Sequence, residues 1–215
     1  MNSQLKTKKR VADHGEVFTS EREVNAMLDL VKQETDRIES KFLEPACGTG
    51  NFLAEILRRK LAVVQKRYKK SQLEFERNAV IAVSSMYGID LLEDNTTECR
   101  ERLFNIFNEI YTKFFKTKTN DKVRNSVKFI LEKNIILGDA LSLETVDDNP
   151  RPIVFSEWTS ISGSKIKRKD FCYKSMIDRA SLIELPLFSD LGEEAYIPKP
   201  LKDFPPTHFS EIANA

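Results

Sequence analysis

The segment from Phe42 to Leu53, FLEPACGTGNFL, combines residue types that could hold a charged ligand. It reads as a short hydrophobic strand, an acid, a tight glycine turn and the start of a helix. Gly48 and Gly50 can adopt a positive φ and let a ligand approach the backbone closely. The N-terminus of the following helix favours an anionic group such as a carboxylate, and Glu44 could face a cationic group. A molecule with both an amino acid and a nucleoside would use all of these features.

Two common nucleotide-binding patterns do not fit this segment. A dinucleotide-binding fold requires a third glycine where this chain has Leu53, and its ribose-binding acid lies about 20 residues downstream. The next acid at a predicted strand end is Asp90, which is farther along the chain. A phosphate-binding P-loop requires Gly-Lys followed by Ser or Thr, and no such sequence follows the glycines. NAD and nucleoside triphosphates are therefore disfavoured as ligands.

Four hydrophobic segments predict strands, and each ends near an acidic residue: Glu44, Asp90, Asp139 and Glu157. Helical patterns separate the strands. Strands that alternate with helices predict an α/β fold with a mostly parallel sheet and flanking helices. In such sheets ligands bind beyond the carboxyl ends of the strands. The four acids are therefore expected to surround one site.

The chain divides into three predicted regions. Residues 1–14 are expected to be a flexible basic N-terminus, and residues 15–158 to form the ligand-binding domain. This domain opens on a predicted helix with Thr19 or Ser20 as its N-cap. Residues 159–215 are basic and then rich in proline, so they are expected to form an extended C-terminal arm.

Composition narrows the cellular setting. The 215 residues carry a formal net charge of +1 at pH 7, so overall charge does not indicate a nucleic-acid binder. No apolar run is long enough to span a bilayer, and no apolar segment follows the basic N-terminus as in a secretory signal. Three scattered cysteines favour a reducing compartment, so the chain is expected to be cytoplasmic. Neither His14 nor His208 can build a zinc site with these cysteines, and no metal is expected.

Four segments carry a resemblance to a known family: GEVFTSEREVNAMLDLV, EPACGTGNF, YGIDLLEDN and ILGDAL. EPACGTGNF resembles the cofactor motif of N6-adenine DNA methyltransferases, whose usual form is close to DPACGSGxF. The other segments resemble the family's upstream, second-strand and third-strand motifs, in the same order. The match covers residues 15–141 and is most similar to modification subunits of type I restriction systems and to fused restriction–modification proteins. It implies an incomplete Rossmann-like methyltransferase domain.

The resemblance also implies a cofactor and its site. The cofactor is S-adenosylmethionine (SAM). Asp90 matches the position that binds the ribose hydroxyls, and Asp139 matches the position that accepts from the adenine amine. Phe18 and Thr19 match residues that close over the methionine end. The full set of expected cofactor-binding residues is Phe18, Thr19, Glu44, Ala46, Gly48, Gly50, Asn51, Phe52, Asp90, Leu91, Asp139 and Ala140.

The family's catalytic motif is missing where it is expected. That motif is Asn or Asp, two prolines and an aromatic residue, and it should end the strand that follows GDAL. The strand here is IVFSEW, in which only Trp158 could stack on a base. The segments 149–152 and 204–207 contain prolines but lack the strand or the aromatic residue. No catalytic residue is therefore assigned.

Three classes of function remain open. In the first, the chain is a modification subunit whose catalytic and target-recognition parts come from a partner chain, with DNA bound in the complex. In the second, it is a self-contained methyltransferase that uses Glu157 and Trp158 in an altered site. In the third, it is a non-catalytic SAM-binding or structural module, such as a regulator of a restriction system. The first and third are favoured over the second.

Overall fold

The computed structural model describes residues 19–177 and 199–214, which form two β-sheets and a layer of helices. The expected flexible N-terminus, residues 1–14, lies outside the described residues. The helices are α1 (Glu21–Leu30), α2 (Lys32–Thr35), α3 (Asn51–Tyr68), α4 (Gln72–Ser84), α5 (Glu93–Phe115) and α6 (Asp121–Asn134), with 3₁₀ turns at Lys116–Lys118 and Ile212–Asn214. The strands are β1 (Phe42–Glu44), β2 (Met86–Asp90), β3 (Ile135–Asp139), β4 (Glu144–Thr145), β5 (Val154–Ser160), β6 (Lys165–Cys172), β7 (Lys202–Asp203) and β8 (Thr207–His208).

The first sheet has the order β1-β2-β3-β4. Strands β1, β2 and β3 are parallel, with Glu44 opposite Gly88 and Asp90 opposite Leu137. Helices α3 and α4 connect β1 to β2, and α5 and α6 connect β2 to β3. The predicted α/β class is confirmed, and the carboxyl ends of three strands meet at one edge of the sheet as expected.

Helix α1 begins with the capping interaction that its sequence favours. Ser20 is the N-cap, its hydroxyl accepts a hydrogen bond from the Glu23 amide, and the Glu23 carboxylate accepts from the Ser20 amide at 3.0 Å. These bonds satisfy backbone donors that an uncapped first turn leaves open. Arg59 of α3 then binds the side chain of Asn25 at 2.8 Å and pairs with Asp29 at 2.9 Å. Helix α1 is thereby fixed against α3.

The prediction that IVFSEW forms a fourth strand of the parallel sheet is wrong in its pairing. Strand β5 lies in a second, antiparallel sheet, in which β6 pairs with β5, β7 and β8. The connection after β3, residues 140–153, contains the strand β4 and no helix, whereas the return to a parallel strand usually runs through a helix that crosses the face of the sheet. The first sheet is therefore mixed rather than extended by β5.

The boundary placed between residues 158 and 159 also needs correction. It falls inside β5, and the basic run KIKRK is part of β6, which pairs with every residue of β5. Residues 199–214 pack on the same domain, since Phe209 and Ile212 are buried in the main hydrophobic core. Residues 178–198, which include Pro186 and Pro198, lie outside the described residues.

The main core between the helices and the first sheet contains one completely buried lysine. Lys60 of α3 is fully covered although it lies within the basic run of residues 58–70. Its ammonium donates to the carbonyls of Ile38 and Ser40 and to the hydroxyl of Ser85 at 2.6 Å. These bonds hold the loop before β1 against α3. Lys60 therefore orders the entry to β1, and it does not belong to any exposed basic surface.

The titration of Lys60 predicts a specific pH dependence of stability. Burial lowers the pKa of Lys60 to about 7 from its usual 10.5, opposed by the charges of Glu39 and Glu34. Between about pH 7 and pH 10.5 the Lys60 side chain is protonated in the unfolded chain and deprotonated in the folded chain, so the free energy of unfolding rises with pH. The slope is at most about 1.4 kcal/mol per pH unit. Urea denaturation at pH 7, 8 and 9 should show this rise in the wild type and in Lys66→Met, a control on the exposed face of α3, but not in Lys60→Met. A slope that persists in Lys60→Met would contradict the assignment.

No helix among the residues described is both long and apolar enough to cross a membrane.

Candidate ligand-binding site

A cleft of about 460 Å³ lies at the carboxyl ends of β1, β2 and β3. Its volume is within the range of pockets that bind small molecules and cofactors. Residues from the β1–α3 loop, the end of β2 and the end of β3 form its walls. The lining residues are Thr19, Glu44, Pro45, Ala46, Cys47, Gly48, Thr49, Asn51, Phe52, Asp90, Leu91, Leu92, Asn95, Gly138, Asp139, Ala140 and Leu141.

Asp90 stands in the middle of the cleft, at the end of β2, and it organises the surrounding backbone. One carboxylate oxygen accepts from the Gly48 amide at 2.8 Å. The other accepts from the Leu92 amide at 3.0 Å and from the Asn95 side chain at 3.1 Å. A carboxylate has about four lone-pair positions, so three bonds leave capacity for a ligand hydroxyl. Asp90 can therefore fix the glycine loop and still bind a ligand.

Glu44 provides a negative charge at one end of the cleft. Its side chain is half-buried, and burial raises the pKa of the Glu44 carboxyl. Within residues 19–177 and 199–214 its carboxylate forms no hydrogen bond or ion pair. A partly buried carboxylate without a partner is costly, and a cationic group bound beside it would remove that cost. Glu44 is therefore suited to face a cation.

The N-terminus of α3 provides the opposite charge. Its N-cap is Gly50, and in the described part of the chain no side chain caps the helix and no acid lies in its first turn. The first backbone amides of a helix have no partners within the helix, and its N-terminus carries a partial positive charge. Asn51 and Phe52, the first two residues of α3, line the cleft. An anionic group such as a carboxylate fits this position.

The far end of the cleft combines an acid with apolar surface. One oxygen of Asp139 accepts from the Leu141 amide at 2.8 Å, which leaves its other oxygen for a ligand donor. Leu91 and Leu141 are 48% and 95% exposed at the cleft, so they offer apolar surface that a flat ring could cover. This end is suited to a nitrogen-containing ring with an amine.

The two glycines of the loop have different roles. Gly48 has φ +51° and nothing within 4 Å of the position of a Cβ atom, and it faces the cleft. Gly50 has φ +82°, but it does not line the cleft, and a Cβ atom there would lie 2.6 Å from the sulfur of Cys99. The prediction that Gly50 contacts the ligand is therefore corrected. Gly50 allows α3 and α5 to approach, and its functional contribution is indirect.

This difference between the glycines is testable. Gly50→Ala adds a steric clash with Cys99 to the strain of a positive φ, whereas Gly48→Ala adds only the strain. Strain of this kind costs about 1–2 kcal/mol, and overpacking of a core costs a further 1–3 kcal/mol. We expect urea denaturation to show the larger loss of stability for Gly50→Ala. The double variant Gly50→Ala, Cys99→Ala should recover part of the loss, and equal losses in the two single variants would contradict the packing role.

The cleft brings together ten of the twelve residues expected from the sequence. Of the other two, Gly50 faces Cys99 and not the cleft, and Phe18 is outside the described residues. Sequence reasoning missed Asn95, which is 1% exposed and orients Asp90. The sequence signal for Asn95 is its place as a polar residue in the first turn of the predicted helix after Asp90. Cys47 also lines the cleft, and its sulfur packs against Gly88 and Cys99. A hydrogen bond to Cys99 and burial raise the pKa of its thiol.

Glu157 and Trp158 do not reach the cleft. Trp158 is buried, and its indole nitrogen donates to the Asn134 side chain at 3.0 Å. Glu157 pairs with Lys41, away from the strand ends. A self-contained methyltransferase that uses these two residues is therefore unsupported. In the described ranges, no group of three His, Cys, Asp or Glu residues is arranged to hold a metal ion.

No protein-family model matches the chain, and neither a curated protein nor a solved structure matches it. The chemistry of the cleft must therefore carry the assignment of function.

Proposed function

We propose that this chain is the SAM-binding subunit of a DNA adenine-N6 methyltransferase of the restriction–modification type, and that a partner chain supplies catalysis. In this proposal the first sheet is the incomplete core of a Rossmann-like methyltransferase fold. The observation that carries it is the cleft at the carboxyl ends of β1, β2 and β3, which holds groups complementary to both ends of SAM. The glycine motif of residues 44–52 supports the same ligand.

Each part of SAM has a suitable group in the cleft. The amino-acid carboxylate fits the uncapped N-terminus of α3, and Glu44 suits the cationic groups of the methionine part. Asp90 has capacity to accept from a ribose hydroxyl. Asp139 can accept from the adenine amine, while Leu91 and Leu141 cover the faces of the ring. A dinucleotide would instead place a pyrophosphate against this loop, where Glu44 and Asp90 repel it.

The need for a partner is supported by the missing catalytic residues and by an open strand edge. The strand that should carry the Asn-Pro-Pro motif belongs to the second sheet. On β3 the outer edge is covered by β4, whereas β1 pairs only with β2 among the described strands. The Phe42 amide donates to the Ser85 carbonyl, on the side of β2. Because successive residues of a strand direct their backbone N–H and C=O groups to opposite sides, those of Leu43 point to the open edge. Unpaired strand edges of this kind accept strands from other chains.

The surface beside this edge is suited to apolar side chains. A second cleft of about 410 Å³ runs along β1 and is lined by Lys41, Phe42, Leu43, Tyr87, Phe155, Glu157, Phe171, Tyr173 and Met176. Leu43 is 41% exposed there. A strand added parallel to β1 would cover this surface and would end beside the SAM cleft, because the carboxyl ends of parallel strands meet at one edge. A catalytic motif at its end would then face the methyl group.

Calorimetric titration tests the cofactor. We expect the purified chain to bind SAM and S-adenosylhomocysteine with dissociation constants of about 1 μM to 1 mM, the range common for enzyme ligands. NAD⁺ is the matched control, because it shares the adenosine part but lacks the amino acid, and we expect no binding. Absence of binding to both sulfur compounds, or equal binding of NAD⁺, would overturn the proposal.

A further inference from the structure

A polar network connects helix α5 to the wall of the cleft. Arg102 of α5 donates from Nη1 to the side-chain oxygen of Asn51 at 2.6 Å and to the carbonyl of Thr49 at 3.4 Å. The side-chain nitrogen of Asn51 in turn donates to the carbonyl of Thr19 at 3.2 Å. Thr19, Thr49 and Asn51 all line the cleft, whereas Arg102 does not. One cation therefore connects two parts of the cleft wall that are distant in sequence, the residues around Asn51 at the start of α3 and Thr19 before α1.

The orientation of Asn51 depends on Arg102. An amide side chain can rotate so that its oxygen and nitrogen exchange places, and only one orientation donates to Thr19. The Arg102 guanidinium is a donor without an acceptor, so it holds the oxygen of Asn51 toward itself and the nitrogen toward Thr19. Burial and the charge of Arg58 lower the pKa of Arg102, because both disfavour its charged form. The hydrogen bonds to these two oxygens stabilise that charged form.

We infer that Arg102 is a positioning residue for the ligand, which acts through Asn51 to hold Thr19 at the cleft. The inference rests on the proposed SAM function for the identity of the ligand. Asn51 follows β1 and Asp139 ends β3, so they lie at opposite ends of the cleft on either side of β2. Arg102 therefore serves the end where the amino-acid part of SAM lies, and the adenosine end does not depend on it.

The experiment compares SAM with adenosine in calorimetric titrations of the wild type, Arg102→Ala, Arg102→Lys and Arg58→Ala. For Arg102→Ala we expect about a tenfold loss of SAM affinity, equivalent to about 1.4 kcal/mol, and less than about a twofold change for adenosine. Arg102→Lys should recover part of the SAM affinity, because lysine can still donate to Asn51. Arg58 is the matched control, since this nearby arginine pairs with Glu55 alone among the described residues and does not line the cleft. Equal losses for SAM and adenosine, or no loss for SAM, would overturn the inference.

A second measurement does not depend on any ligand. Amide hydrogen exchange of the ligand-free chain reports the attachment of residues 19–24 to the cleft wall. We expect faster exchange of these amides in Arg102→Ala than in Arg58→Ala, with the rest of α1 unchanged. If the wild type binds neither SAM nor adenosine, the proposed function fails, and the exchange data still decide whether Arg102 holds Thr19. Unchanged exchange in Arg102→Ala would contradict that role.

Discussion

Asp90→Ala is expected to weaken SAM binding by at least tenfold. Two kinds of interaction are lost together. The carboxylate no longer accepts from a ribose hydroxyl, and a charge-assisted hydrogen bond of this type contributes about 1.5–3 kcal/mol. The glycine loop also loses its bond from the Gly48 amide to the end of β2. Since about 1.4 kcal/mol corresponds to a tenfold change in affinity, a single lost bond is sufficient for the expected effect.

Calorimetric titration with SAM measures this effect, and two controls separate its causes. Asp147→Ala removes an acid of the β4–β5 connection whose partners among the described residues, Thr145, Asn149 and Arg151, do not line the cleft, so SAM affinity should not change. The melting temperature of ligand-free Asp90→Ala reports how much of the loss comes from the loop. A change in SAM affinity of less than about twofold would remove Asp90 from the site.

The isolated chain is expected to bind SAM and to transfer no methyl group to DNA. The lone pair of the adenine amine is delocalised into the ring, so the amine needs two acceptors and a stacked base before it can attack the methyl group. The described residues of the cleft include no Asn-Pro-Pro-aromatic sequence, and Trp158 is held in the core by Asn134. Electrostatic stabilisation and positioning by such groups change rates by about 10²–10⁴-fold. Their absence should reduce turnover below detection.

A tritium-transfer assay on unmethylated DNA measures turnover of the chain alone and together with a partner. The partner to test is the product of a neighbouring gene that carries Asn-Pro-Pro-aromatic without its own glycine loop. We expect turnover only in the mixture, and none when the mixture contains the Asp90→Ala chain. Robust turnover by the chain alone would refute a divided site. SAM binding without turnover in any pairing would favour the alternative, a non-catalytic SAM-binding regulator.

The local sequence determined the elements and the position of the cleft. The capping of α1 at Ser20 depends on residues three positions apart, and the glycine loop depends on residues that follow β1 directly. Asp90 and Asp139 each end a hydrophobic strand, and the parallel arrangement brings such ends together. Interactions over short sequence distances can be read from residue types and spacing, so ten of the residues that line the cleft were predicted.

The tertiary structure alone decided the pairing of β5 and the roles of individual buried residues. An apolar strand looks the same in sequence whether its neighbour is parallel or antiparallel, and here the connection after β3 has no helix and β5 pairs with β6. Gly50 packs against Cys99, Lys60 donates to Ser85, and Arg102 donates to Asn51. The partners in these pairs are separated by 49, 25 and 51 positions. Contacts over such distances depend on how helices pack against the sheet, which local residue patterns do not specify.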